Sequence, residues 1–130
     1  MKKTPAKIIE KINETPVAKA EFRKIAKDAE MAYNYAREAI GGRWLEAEPV
    51  IAKDPQFAYY YAASVIGGRW LEAEPYIAKN PSVAYWYARD VIGGRFPEAE
   101  PTIAKDLTMA YWYAKDVLKR PWPEAGIYKL

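Results

Sequence analysis

The feature that most constrains this chain is a self-similarity with a step of 26 residues. Gly41-Gly42-Arg43-Trp44 returns as Gly67-Gly68-Arg69-Trp70 and again as Gly93-Gly94-Arg95-Phe96. Residues 41–66 and 67–92 agree at 19 of 26 positions, and 67–92 and 93–118 at 17 of 26. The period continues upstream with decay: 15–40 keeps Ile25-Ala26-Lys27-Asp28, Met31-Ala32-Tyr33 and Tyr35-Ala36-Arg37. Downstream, 119–130 keeps only Trp122-Pro123-Glu124-Ala125. A short unit of this kind cannot bury an apolar face alone, so neighbouring units must stack, and the end units must differ from the middle ones. The organisation that follows is an N-terminal cap helix in 1–14, four units at 15–40, 41–66, 67–92 and 93–118, and a degenerate C-terminal cap in 119–130.

Within a unit the punctuation predicts two helices. In Asp54-Pro55-Gln56-Phe57, Asp54 is placed to cap a helix and Pro55 occupies the first turn, where its missing N–H costs nothing. That helix should run to Ile66, where Gly67-Gly68 supplies the left-handed stop. The first helix, around Leu45–Lys53, carries Glu46 and Glu48 at its start, where acids favour the helix dipole. Pro49, Pro75 and Pro101 fall about one turn into it, which predicts either a kink or a single turn followed by a second short helix. The expected helices are 5–13, 16–27, 29–40, 45–53, 55–66, 71–79, 81–92, 97–105, 107–118 and 122–128. The fold class is therefore all-α, a short right-handed α-solenoid of helix–turn–helix units.

A wheel drawn at 100° per residue puts Ala84, Tyr87, Ala88 and Val91 on one stripe, matched by Ala58, Tyr61, Ala62 and Val65, and by Ala110, Tyr113, Ala114 and Val117. Ile51, Ile77 and Ile103, with Ala47, Ala73 and Ala99, form the facing stripe. Trp44, Trp70, Phe96 and Trp122 read as staples that pack one unit on the next. Position 20 of the unit falls nearly opposite the core stripe and holds Asn34, Tyr60, Trp86 and Trp112, with Arg37, Ala63, Arg89 and Lys115 beside it. An aromatic row edged by charge is a candidate partner-binding face. Tyr60, Trp86, Arg89, Trp112 and Lys115 are its expected contact residues. The same position could instead serve packing between units or between copies.

Composition removes several chemistries. The 130 residues include no cysteine and no histidine. Disulfides, thiol catalysis, His-dependent triads and zinc sites built on thiolate or imidazole are thereby excluded, and the absence of cysteine agrees with a cytoplasmic setting. No catalytic, metal or cofactor residues are expected, and the chain does not read as an enzyme. Glu46/Glu48, Glu72/Glu74 and Glu98/Glu100 recur in every unit, whereas an active site is normally unique. With Arg43, Arg69 and Arg95 at fixed offsets, these acids read as exposed salt bridges of small energetic value. The net charge is +3, too mild for a strong field toward nucleic acid or anionic lipid. No apolar run approaches a membrane span and no signal-peptide core follows Lys2-Lys3.

The unit Pro-Glu-Ala-Glu-Pro-x-Ile-Ala-Lys-Asp-Pro-x-x-Ala-Tyr-x-Tyr-Ala-Arg-Asp-Val-Ile-Gly-Gly-Arg, carried most fully by residues 79–95 and 93–105, resembles short tandem helical repeats of uncharacterised phage-type proteins. The resemblance covers about 15–125; Leu45 and Leu71 stand where Pro97 follows the pattern, and Leu107 replaces the second-helix proline. It implies no catalytic residue and no cofactor, and it makes a host or defence protein the expected partner. The leading functional expectation is a protein-binding module. The alternatives are a nucleic-acid binder, in which exposed Trp and Tyr stack bases while Arg and Lys hold phosphates, and a self-assembling structural component.

Overall fold

The computed structural model describes residues 16–130. The N-terminal cap helix expected in 1–14 lies outside the described residues. The rest is a two-layer stack of helical units. The second helix of each unit is a straight α-helix: α2 (Ala29–Tyr35), α4 (Pro55–Tyr61), α6 (Pro81–Tyr87) and α8 (Leu107–Tyr113). Each runs on into a π-helical turn, at Ala36–Ile40, Ala62–Ile66, Ala88–Ile92 and Ala114–Leu118. The first-helix layer holds α1 (Pro16–Ala26), α3 (Glu48–Ala52), α5 (Glu74–Ile77) and α7 (Glu100–Ile103), the last entered through a 3₁₀ turn at Pro97–Ala99. Consecutive second helices pack side by side, and each first helix after α1 is wedged between the second helices of its own and the preceding unit. This is a helical repeat solenoid. Among the described residues the only β pairing is an isolated bridge between Trp122 and Ile127, and no helix is long and apolar enough to cross a membrane.

The second helices start and stop as their residues dictate. Asp28, Asp54, Asn80 and Asp106 each accept a hydrogen bond from the backbone N–H three residues on, at 2.9, 3.2, 3.1 and 3.1 Å. This satisfies one of the donors that a helix start leaves without a partner. At the other end Gly41, Gly67 and Gly93 adopt φ of 71°, 78° and 72°. Their N–H groups reach back to the carbonyls of Ala36, Ala62 and Ala88 at 2.7–2.8 Å, the five-residue closure that makes the last turn π-helical. In the fourth unit the same place is held by Lys119, at φ 58°, a conformation that a residue with a Cβ adopts only at a cost.

The proline question resolves in favour of two short pieces. Residues 45–47 and 71–73 form a turn, and the helix proper begins at Glu48, Glu74 and Glu100, which places Pro49, Pro75 and Pro101 in the first turn. A proline there gives up an N–H that has no intrahelical acceptor, and its ring meets no preceding turn of helix. The first helices of the interior units are consequently only 4–5 residues long. In the first unit the matching residue is Arg23, and α1 runs unbroken for 11 residues. The helix expected at 122–128 is instead a hook: a 3₁₀ turn at Pro123–Ala125 followed by Gly126 at φ 83°, which folds Ile127 back to exchange two backbone hydrogen bonds with Trp122.

The core is the pair of stripes read from the sequence, except that Val91 and Val117 are only half-buried at its edge. Ala47, Ala73 and Ala99, Ile51, Ile77 and Ile103, and Tyr61, Tyr87 and Tyr113 are all completely buried. The unit-to-unit staples are also in place. Tyr35, Tyr61, Tyr87 and Tyr113 each stack on the aromatic nine residues later (Trp44, Trp70, Phe96 and Trp122), with centroids 5.1, 4.9, 5.4 and 5.3 Å apart. The alanines hold the helices close enough for these rings to fill the space between layers.

Candidate protein-interaction surface

The residues that carry charge in this fold divide into a buried set and a surface set. The buried set repeats in the three units from 41 to 118. Arg43 donates two hydrogen bonds to Glu48, at 2.8 and 2.7 Å. The Tyr61 hydroxyl donates to the same carboxylate at 2.7 Å and accepts the Trp44 N–H at 2.7 Å. Arg69, Glu74, Tyr87 and Trp70 reproduce this arrangement, as do Arg95, Glu100, Tyr113 and Phe96. The arginine–glutamate pairs are therefore not the exposed surface bridges expected from the ladder pattern. Glu74 is 2% exposed and Glu48 is 9% exposed, Glu100 is partly buried with its side chain 14% exposed, and the arginines are the members that reach furthest into solvent. The reason lies in the neighbouring tyrosine: its hydroxyl needs an acceptor inside the core, and the glutamate supplies one while the arginine neutralises it.

These contacts bias the ionisation of each member. Burial pushes Glu48 and Glu74 upward, but hydrogen bonds from the arginine and the tyrosine, helped by the arginine's charge, outweigh it and hold both below the usual carboxylate range. For Glu100 the hydrogen bond from Arg95 is the largest influence, and it too lies low. Burial, reinforced by donation to a carboxylate, raises Tyr61, Tyr87 and Tyr113 well above the ordinary phenol. Each set is saturated within itself and leaves no free nucleophile, base or acid. Among the described residues there is no group of three or more acidic side chains that could hold a metal ion.

The surface set lies along the second helices. Position 20 is not the fully solvent-facing row that the wheel suggests. Asn34, Tyr60 and Trp86 are half-buried, and for Tyr60 and Trp86 the cause is that α4 and α6 turn that flank toward the unit before them. Tyr60 packs on Tyr33 at 5.8 Å and Trp86 on Tyr59 at 5.9 Å. A helix wheel separates core from non-core, but in a stack the two flanks also meet neighbours. Trp112 is the exception, 40% exposed, with the Lys115 ammonium 5.4 Å above its ring. Arg89 is exposed; it pairs with Asp90 at 2.6 Å and lies over Tyr85 at 5.1 Å. Of the five expected contact residues, Trp112 and Lys115 stand together at the surface, Arg89 lies on the unit before them, and Tyr60 and Trp86 belong to the seams between units.

Four residues in these seams carry no motif of their own: Tyr59, Tyr85, Asp90 and Asp116 are paired only once the units are stacked. The Tyr59 hydroxyl donates to Asp90 and the Tyr85 hydroxyl to Asp116, each 31 residues on. The sequence signal was a tyrosine at position 19 and an acid at position 24 in successive units. On the opposite layer a groove of about 490 Å³ opens between the second and third units, lined by Leu45, Pro49, Trp70 and Tyr76 with Arg43, Lys53 and Glu72 at its edges. Comparison with known proteins found no family model, no curated protein and no solved structure that matches this chain.

Proposed function

We propose that this chain is a non-enzymatic interaction module that binds a protein partner along its second-helix surface, with Trp112 and Lys115 as the principal contacts and Arg89 as a polar neighbour. The observation that carries this reading is the exposure of Trp112 under a cation that has no ion-pair partner among the described residues. The two preceding residues of that row, Tyr60 and Trp86, are absorbed by packing on the unit before them; Trp112 packs on its chain neighbour Tyr111 and stays 40% exposed. A large aromatic beside a cation is the kind of group that dominates interface energetics. The repeat's resemblance to phage-type units supports a host or defence protein of the cytoplasm as the partner. Tyr60 and Trp86 then act through the seams, by keeping the helices that present Arg89, Trp112 and Lys115 in register.

The test is an affinity pull-down from bacterial lysate, with and without nuclease, using wild type and a Trp112→Ala/Lys115→Ala double variant. Both residues are exposed, so the variant should keep its far-UV circular dichroism and melting temperature. A partner that survives nuclease and disappears with the variant is the expected result. Identical profiles for the two proteins would sink the assignment, and recovery of nucleic acid alone would move the function to nucleic-acid binding.

A further inference from the structure

The chain carries two basic ladders with the 26-residue step, and the structure treats them differently. The arginines Arg43, Arg69 and Arg95 are each engaged by a glutamate. The lysines that follow the first helices, Lys53, Lys79 and Lys105, are exposed and form no ion pair among the described residues. An exposed lysine alone is ordinary solvated charge. Between the second and third units, however, two of these lysines stand beside an apolar groove.

The groove exists because the first helices are short. Helix α4 packs on both α3 and α5, but α3 and α5 scarcely meet each other. The gap between them is the groove of about 490 Å³, within the size range of small-molecule sites. Trp70, stacked on Tyr61 at 4.9 Å, forms its floor, with Leu45 and Pro49 on one side and Tyr76 on the other. Leu45 is 69% exposed, so apolar surface lies open here. The two ends differ in charge. Before α3, Arg43 is met first by its hydrogen bonds to Glu48 and then by the nearby carboxylate of Glu72. After α3 and α5 come Lys53, which lines the groove, and Lys79, whose ammonium lies 5.8 Å over the Tyr76 ring. One end is therefore neutralised from within, and the other carries positive charge without a counterion.

Tyr76 is not demanded by the stack. The same place holds Val50 in the second unit and Thr102 in the fourth. The hydroxyls of Tyr59, Tyr61, Tyr85, Tyr87 and Tyr113 each donate to a carboxylate, whereas that of Tyr76 makes no hydrogen bond among the described residues. We propose that this groove binds a small apolar carboxylate, an aryl or alkyl acid whose body lies against Leu45, Pro49, Trp70 and Tyr76 and whose carboxylate is held by Lys53 and Lys79. With Arg43 already engaged, the groove offers point charges and no free planar fork, which suits a single carboxylate. The apolar lining supplies the affinity and the ammonium groups set the orientation. This site lies on the layer opposite Trp112 and Lys115 and does not depend on the protein-partner reading.

The test is a titration of the whole, ¹⁵N-labelled chain with 4-phenylbutyrate and with octanoate, read by amide and indole chemical shifts. The uncharged 4-phenylbutyramide is the matched control. Saturable shifts centred on Leu45, Lys53, Trp70 and Tyr76 are expected, with a Kd of about 1 mM or lower for the acids and about tenfold weaker binding of the amide. Lys53→Gln/Lys79→Gln should bring the acid down to the affinity of the amide and leave the amide unchanged. Tyr76→Thr, the residue that the fourth unit carries at this place, should weaken acid and amide alike. Any one of three results would overturn the proposal: no saturation by either acid up to about 10 mM, equal affinity of wild type for phenylbutyrate and its amide, or shifts centred away from the groove. The acid–amide comparison is made on the unaltered protein, so a folding defect in a variant does not blunt it.

Discussion

The first unit and the units that follow solve the same packing problem by different chemistry. In the units from 41 to 118 the residue under the second-helix tyrosine is a glutamate, held by arginine and tyrosine. In the first unit the corresponding residue is Phe22, which is buried and packs edge-on against Tyr35 at 5.6 Å and against Trp44 at 4.6 Å. Position 17, where the arginine would stand, is valine. The tyrosine is half-buried over an apolar ring in the first unit and fully buried over a neutralised carboxylate in the others. What the polar version adds is specificity. A fully hydrogen-bonded buried group admits one register, because any slip leaves a charge without its partner, whereas an aromatic contact tolerates small shifts. Register matters most in the middle of a stack, where an error in one unit would be transmitted to both neighbours.

The sharpest way to break this comparison is to remove one glutamate. Glu74→Ala should destabilise the chain by about 4 kcal/mol, because it strands the Tyr87 hydroxyl in the core and removes the neutralising partner of Arg69. Urea unfolding would read the loss, and an effect under about 1 kcal/mol would show that the network is only decorative. The same groups set a pH profile. The folded pKa values of Glu48, Glu74 and Glu100 lie below their ordinary value, so their stabilisation is complete above the ordinary carboxylate range and is lost as pH falls through the lowered values. Tyr61, Tyr87 and Tyr113 are raised, so theirs is complete below about pH 10 and fades above it, as the unfolded phenols ionise first. Melting temperature against pH should show a plateau with both shoulders, and replacing the three glutamates by glutamine should flatten the acid shoulder.

A second contrast concerns the first helices. Arg23→Pro places in α1 the proline that the interior units carry, but seven residues into a continuous helix, where it deletes a bonded N–H and clashes with the turn before it. A loss of about 3 kcal/mol is expected by thermal unfolding; tolerance of the change would mean that α1 already frays at its middle. Tyr87→Phe and Tyr35→Phe form a matched pair. The first leaves both the Trp70 N–H and Glu74 without the hydroxyl and should cost about 2 kcal/mol, and the second, which faces Phe22, less than about 0.5. Equal costs would refute the division between the two kinds of unit. The smallest effect is a gain: Lys119→Gly relieves the left-handed φ of 58° and should stabilise the fourth unit by about 1 kcal/mol, visible as a rise in melting temperature.

Much of this architecture is legible in residues taken a few at a time. Asp54, Asn80 and Asp106 announce helix starts because a short polar side chain can satisfy a free backbone N–H, and Gly67 and Gly93 announce stops because they alone accept the left-handed turn cheaply. The alternation of Ala and Tyr along the second helix shows the core stripe, and the 26-residue period shows that units stack. The fate of position 20 is less legible. Nothing near Trp86 in the chain distinguishes it from Trp112, yet one is held against Tyr59 and half-buried while the other is 40% exposed beside Tyr111. Likewise Glu46 and Glu48 look alike in the sequence, but only Glu48 lies within reach of Tyr61 and Arg43 and is buried.

What the sequence determined by itself is the part governed by local chemistry: helix starts and stops, the place of the prolines, the core stripe and the repeat. What only the tertiary structure decided is which polar groups are inside. Tyr61 meets Glu48 across 13 residues within one unit, and Tyr85 meets Asp116 across 31 between units, and both meetings depend on how one helix is set against another. Burial turns a carboxylate from a weak surface charge into a constraint on register, and it is a property of helices packed on one another, so no single helix of the chain contains it.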